Sequence, residues 1–261
     1  MRAALFFPVL ALLALPAIAA AAGETAAGCA TPPALGAPER PLPALRVALA
    51  GDGPIEILAV GSASTVGLEK DGHGPSYVAR MAETLRAVLP GRALRLTVRG
   101  DRGMTATAMA ALIAAELHGH AYRLVIWQTG TVEAVQGLPP DELRRALEAG
   151  SARVREAGAS LVLIDPQFTA TLRDKTNLAI YRRIMEQAAT HPDAALFHRF
   201  DLTQDWARAQ KLDLEHVAKT EREAALQTLR ACVGDALADF ILSGTDPGGM
   251  GLTRGDKRGK Q

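Results

Sequence analysis

Ile57-Leu58-Ala59-Val60-Gly61-Ser62-Ala63-Ser64-Thr65-Val66-Gly67 runs from uninterrupted apolar residues straight into a glycine and small hydroxyl residues. A short apolar run bounded by turn residues is the pattern of a fully buried strand. Such a strand delivers whatever follows it to the mouth of a site. Working outward, Pro54 to Val60 reads as the first strand and Ser76 to Leu89 as a helix, with Val78, Met81, Leu85 and Val88 at helical spacing. Strands are expected over Ala93 to Val98, Tyr122 to Trp127, Ser160 to Ile164 and Ala194 to Phe197. Helices are expected over Thr105 to Leu117, from Pro139-Pro140 to about Ala157, over Leu178 to Ala189 and over Thr220 to Leu242. Strands alternating with helices of this length predict an α/β fold with a mainly parallel sheet covered on both faces. Ligands of such sheets lie outside the carboxyl ends of the strands, so the turns after each strand are where chemistry belongs.

Composition bounds the rest. The 261 residues suit one sizeable domain, and a net charge of +1 argues against a nucleic-acid partner. Residues 1–22 read as a cleaved export signal: Met1-Arg2 is positive, Ala3 to Ile18 is apolar, and small residues of the A-x-A kind follow. No later stretch is apolar for long enough to span a bilayer, so stable membrane insertion is not expected and the destination is the periplasm or the outside. Residues 23–53, rich in Pro, Ala and Gly, read as an extended arm, 54–243 as the domain and 244–261 as a disordered basic tail. An exported chain with two cysteines, Cys29 and Cys232, either bridges them or keeps two unrelated thiols.

Four turns stand out: Gly61-Ser62-Ala63-Ser64, Gly100-Asp101-Arg102-Gly103-Met104-Thr105, Gln128-Thr129-Gly130-Thr131-Val132-Glu133, and the late Asp213-Leu214-Glu215-His216. In this order, from about Ile55 to Leu242, they resemble the blocks of the SGNH (GDSL-type) hydrolases. The resemblance implies a three-layer α/β/α sandwich of the flavodoxin-like kind with about five mainly parallel strands. It also implies esterase chemistry on a small acyl ester or an acetylated glycan, with no cofactor. Gly103 would give an oxyanion N–H, His216 would be the base and Asp213 its orienter. The nucleophile's place is taken by Ala63, and the asparagine of a Gly-Thr-Asn-Asp motif is replaced by Val132.

A methyl group cannot attack a carbonyl, and losing a triad nucleophile costs about a million-fold in rate. Losing one oxyanion donor costs about a further 2.7–4 kcal/mol. Two outcomes follow. Either Ser64, or less directly Ser62, substitutes as nucleophile, or the chain is a non-catalytic module that holds a glycan or other envelope ligand in the old cleft. The plain alternative for both serines is helix N-capping. Asp213 to His216 is equally readable as a solvated turn. His118 and His120 have a metal-like spacing without a nearby third ligand, and read as a surface loop. Trp127 reads as core. Trp206 lines a groove or, by default, packs.

Overall fold

The computed structural model describes residues 29–67, 75–209 and 212–246. Its sheet has five strands: β1 (Ile55–Gly61), β2 (Leu94–Gly100), β3 (Leu124–Gln128), β4 (Ser160–Ile164) and β5 (Ala194–Phe197). All pair in parallel, in the order β2-β1-β3-β4-β5. β3 and β4 are buried at every position, as expected of strands covered on both faces. β2 is an edge strand and exposes Arg95 and Arg99, charges that discourage pairing with another chain.

Alternate side chains feed two cores. Ile57, Ala59, Leu124 and Ile126 pack with Leu42 and Leu45, and with α3 (Tyr77–Val88) and α10 (Arg222–Thr245). Leu58, Val60, Val125 and Trp127 pack on the other face with α4 (Ala106–Gly119), α6 (Pro140–Glu156) and α8 (Leu178–Ala188). Each fully buried Leu or Ile contributes about 1.5–3 kcal/mol over its exposed state. The architecture is the expected α/β/α sandwich. Helix starts agree with capping chemistry: the hydroxyls of Ser76 and Thr105 accept from the N–H groups of Ala79 and Ala108. Among the described residues, no helix is long and apolar enough to cross a membrane.

The arm differs from expectation. It is not extended throughout: residues 33–35 form a 3₁₀ turn and Pro43–Ala50 forms a helix, α1. Pro43 suits a first helical turn. Tertiary anchors hold the rest: Leu42 and Leu45 are buried, Leu42 N–H donates to the Gly244 carbonyl, and Ala44 N–H donates to Ser160 Oγ at 3.1 Å. Those contacts lie far away in sequence and leave no local periodicity. Short helices also follow four strand ends: α2 (Ala63–Val66), α5 (Thr131–Gln136), α7 (Ala170–Lys175) and α9 (Arg199–Arg208). The sequence singles out the turns that lead into α2 and α5, and gives no sign of α7 or α9. Cys29 and Cys232 form a disulfide, Cα to Cα 5.4 Å, which fastens the arm to α10. The expected export signal lies outside the described residues, as does the tail from residue 247 on. Gly244 and Thr245, assigned to that tail, are the last residues of α10.

Candidate functional site

The chain steps from β1 outward to β2, then returns across the sheet to β3. The crevice at the carboxyl ends of β1 and β3 is therefore the topological switch point, where ligands of such sheets bind. Gly61 closes β1 there. A Cβ on Gly61 would overlap the Thr65 hydroxyl and stand 3.1 Å from Gln128 Oε1. Its neighbour on β2, Gly100, has φ +133°, and a side chain on it would run into the Gly61 carbonyl. Gly61 leaves room for the Gln128 amide beneath the serine turn, and Gly100 lets β2 pass close to the Gly61 carbonyl.

Gln128 is the hub. It is 1% exposed, and its Oε1 lies 3.3 Å from Ser62 N, 3.2 Å from Ser62 Oγ, 3.4 Å from Ser64 Oγ and 3.2 Å from Thr65 Oγ1. An amide oxygen has two lone pairs, so these donors share it. Thr65 has another partner in Tyr77 OH at 2.9 Å. Ser62 occupies the N-cap position of α2, yet its hydroxyl makes no capping bond. Ser64 lies within the same short helix. The capping explanation therefore gives way to a different one: both hydroxyls are taken up by an acceptor from β3. Ala63, the first residue of α2, is partly exposed and presents only a methyl group.

Arg199 reaches this cluster from the start of α9. Its Nη1 donates to Ser64 Oγ at 3.4 Å, its Nε donates to the Asp165 carbonyl at 3.1 Å, and the guanidinium carbon lies 5.5 Å from the centre of the Tyr77 ring. Arg199 is only 2% exposed. Burial pulls its proton affinity down, against the opposing pull of Tyr77 and Asp165. Burial likewise pushes the Tyr77 phenol up, which keeps it neutral. The carboxylate of Asp165 is engaged elsewhere, accepting from Arg182 Nε at 2.9 Å and from Phe200 N–H at 2.8 Å. Burial raises its proton affinity, and Arg182 opposes that.

The other expected residues stand apart from the serines. His216 Nδ1 lies 2.6 Å from Asp213 Oδ2, but the imidazole side chain is 82% exposed. The bond to Asp213 raises the affinity of the imidazole for its proton and lowers that of the carboxylate. Glu215 Oε1 accepts from Ala170 N–H at 2.7 Å, pinning this loop to the start of α7. Among the described residues, no hydrogen bond joins His216 to Ser62 or Ser64. Gly103 turns with φ +74° in an exposed loop after β2, and its N–H has no partner among the described residues. Val132 lies on α5, next to Glu133. His118 and His120 are exposed, and the described residues contain no group of three His, Cys, Asp or Glu that could hold a metal ion. Trp127 is buried, as expected. Trp206 packs rather than lining a groove, and its Nε1 donates to the Ala30 carbonyl.

Sequence reading missed Gln128, Tyr77 and Arg199. Gln128 gave a signal, a polar side chain closing an otherwise apolar strand. Arg199 gave none, since 135 residues separate it from Ser64.

A model of the non-GDSL lipase-like family matches residues 28–247. No curated protein matches the chain. Among solved structures, TesA is 21% identical, with a TM-score of 0.51 over 66% of this chain and 94% of that one. AlinE4, an SGNH-hydrolase family esterase, is 25% identical, with a TM-score of 0.50 over 66% of this chain and 89% of its own. A variant of Axe2, an acetyl xylan esterase from Geobacillus stearothermophilus, is 16% identical, with a TM-score of 0.57 over 74% of this chain and 95% of its own.

Proposed function

Since this chain belongs to the non-GDSL lipase-like family, residues 28–247 matching that family's model, we propose that it keeps the hydrolase cleft as a binding site and has given up the inherited chemistry. The ligand class is a glycan or other envelope ligand, and the site of action is the periplasm or the outside. The carrying observation is the serine turn. Position 63 has no nucleophile, and the Ser64 hydroxyl lies between an amide oxygen and a guanidinium. A nucleophilic serine needs a base to take its proton. Neither neighbour is one: the Gln128 oxygen accepts hydrogen bonds without taking protons, and the Arg199 guanidinium only donates. The export signal read at residues 1–22 and the Cys29–Cys232 disulfide support the location, because disulfides persist in oxidising compartments.

A second reading has an observation of its own. The Asp213–His216 bond has the form of an orienter holding a base, and the Gly103 N–H is free to meet an oxyanion. If the loop carrying His216 closes over Ser64, the chain is a rerouted esterase. Purified protein assayed with short-chain p-nitrophenyl esters separates the two. The binding reading expects no turnover above buffer for wild type, Ser64→Ala or His216→Ala. Wild-type turnover lost in both variants would establish the rerouted esterase instead. Ala63→Ser is the companion measurement. Hydrolysis appearing there would show that His216 and Gly103 still serve a nucleophile in its old place.

A further inference from the structure

Arg199 is a buried cation with donors to spare. A guanidinium has five N–H groups. Nε uses one on the Asp165 carbonyl and Nη1 uses one on Ser64 Oγ. Among the described residues, nothing takes the other three. No carboxylate forms an ion pair with it either: Arg182 bridges Asp165 at 2.9 Å and Asp201 at 2.6 Å. Tyr77 offers Arg199 only a ring face. The cluster opens at the turn, where Ser62, Ala63 and Ser64 are all partly exposed. We infer that Arg199, together with the Ser64 hydroxyl, binds the carboxylate of a small organic acid in the crevice between β1 and β3.

The chemistry selects a carboxylate. The planar guanidinium fork matches two carboxylate oxygens, pairing two N–H groups at once. One guanidinium balances one negative charge, whereas a phosphate dianion asks for a second cation, and Arg182 is already committed to two carboxylates. This inference deepens the binding reading above and rests on it, because hydrolysis of an ester in the same crevice would make the acid a product rather than a resident ligand.

Sodium acetate is the probe, with thermal unfolding as the readout and sodium chloride at equal ionic strength as reference. Acetate is expected to raise the midpoint saturably, with half-effect at concentrations on the order of millimolar for so small a ligand. Arg199→Gln is expected to abolish the shift. That change alters a buried site, so Ser64→Ala provides a second variant, expected to weaken acetate roughly tenfold through loss of one hydrogen bond to a charged ligand. Acetate and chloride curves that superpose in wild type overturn the site. So does an acetate shift that survives in both variants, and phosphate acting as strongly as acetate overturns its carboxylate character. Ester turnover is scored separately. Turnover together with acetate binding sinks the non-catalytic reading and leaves the anion site standing.

Discussion

Glu133 shows how much one side chain holds at the carboxyl end of the sheet. It is 2% exposed, and its two oxygens accept from backbone N–H groups of different segments, Ala106 at 2.5 Å and Gly130 at 3.1 Å. The first bond fixes the start of α4, and the second fixes the turn after β3. No lysine or arginine pairs with it among the described residues. Each buried N–H left without an acceptor costs about 1–3 kcal/mol. Glu133→Ala is therefore expected to destabilise the fold by about 2–6 kcal/mol. Glu133→Gln, which keeps one acceptor oxygen, should fall between. Urea midpoints of the three proteins check this, and a loss under about 1 kcal/mol for the alanine variant would show that water replaces the carboxylate. Gln128 has the same kind of role on the other side of β3, where its amide oxygen gathers the serine turn.

At the scale of elements, the contact between α3 and α10 is set by a small residue. Gly234 lies mid-helix, and a Cβ there would stand 2.6 Å from the Tyr77 carbonyl oxygen and 2.7 Å from Arg80 Cβ. Helix propensity alone favours alanine over glycine by about 1 kcal/mol. Overpacking costs about 1–3 kcal/mol and here meets backbone, which yields little. Gly234→Ala is expected to lower stability despite its better propensity, and to displace Tyr77 from Thr65. A thermal midpoint at or above wild type would refute the close contact. Beside it, Arg80 and Asp235 form a two-pronged ion pair at 3.0 Å that sets the register of the two helices. Elements of this length were readable from sequence because their apolar spacing repeats over three or more turns. The helices α1, α5, α7 and α9 were not, since ten residues or fewer give too little periodicity and their anchors lie elsewhere in the chain. The site divides in the same way. The four turns announced themselves by composition, while the meeting of Arg199, Gln128 and Ser64 follows from strand order, which no local pattern encodes.

Across the whole molecule, the two ends of the described chain close on each other. The Cys29–Cys232 disulfide spans a separation of 203 residues. Around it, Trp206 Nε1 donates to the Ala30 carbonyl at 3.0 Å, Ser243 Oγ donates to the Gly36 carbonyl at 3.2 Å, and Leu42 N–H donates to the Gly244 carbonyl at 2.8 Å. In the chain-entropy model a loop this long stabilises by about 5 kcal/mol, by restricting the unfolded ensemble. The hydrogen bonds that seat the arm do not depend on the bridge. Reduction is therefore expected to leave the native sandwich in place and to act on the unfolded state. Two consequences separate this from a bridge that merely decorates the surface. The unfolding free energy should fall by several kcal/mol on reduction or in Cys29→Ser/Cys232→Ser. The dependence on urea should steepen, because the unbridged chain exposes more surface when it unfolds. Thiol titration in guanidinium gives the companion count, no reactive thiol before reduction and both afterwards. Unfolding curves that coincide with and without reductant, once thiol titration shows both cysteines reduced, would mean that the bridge contributes nothing to the stability of the sandwich.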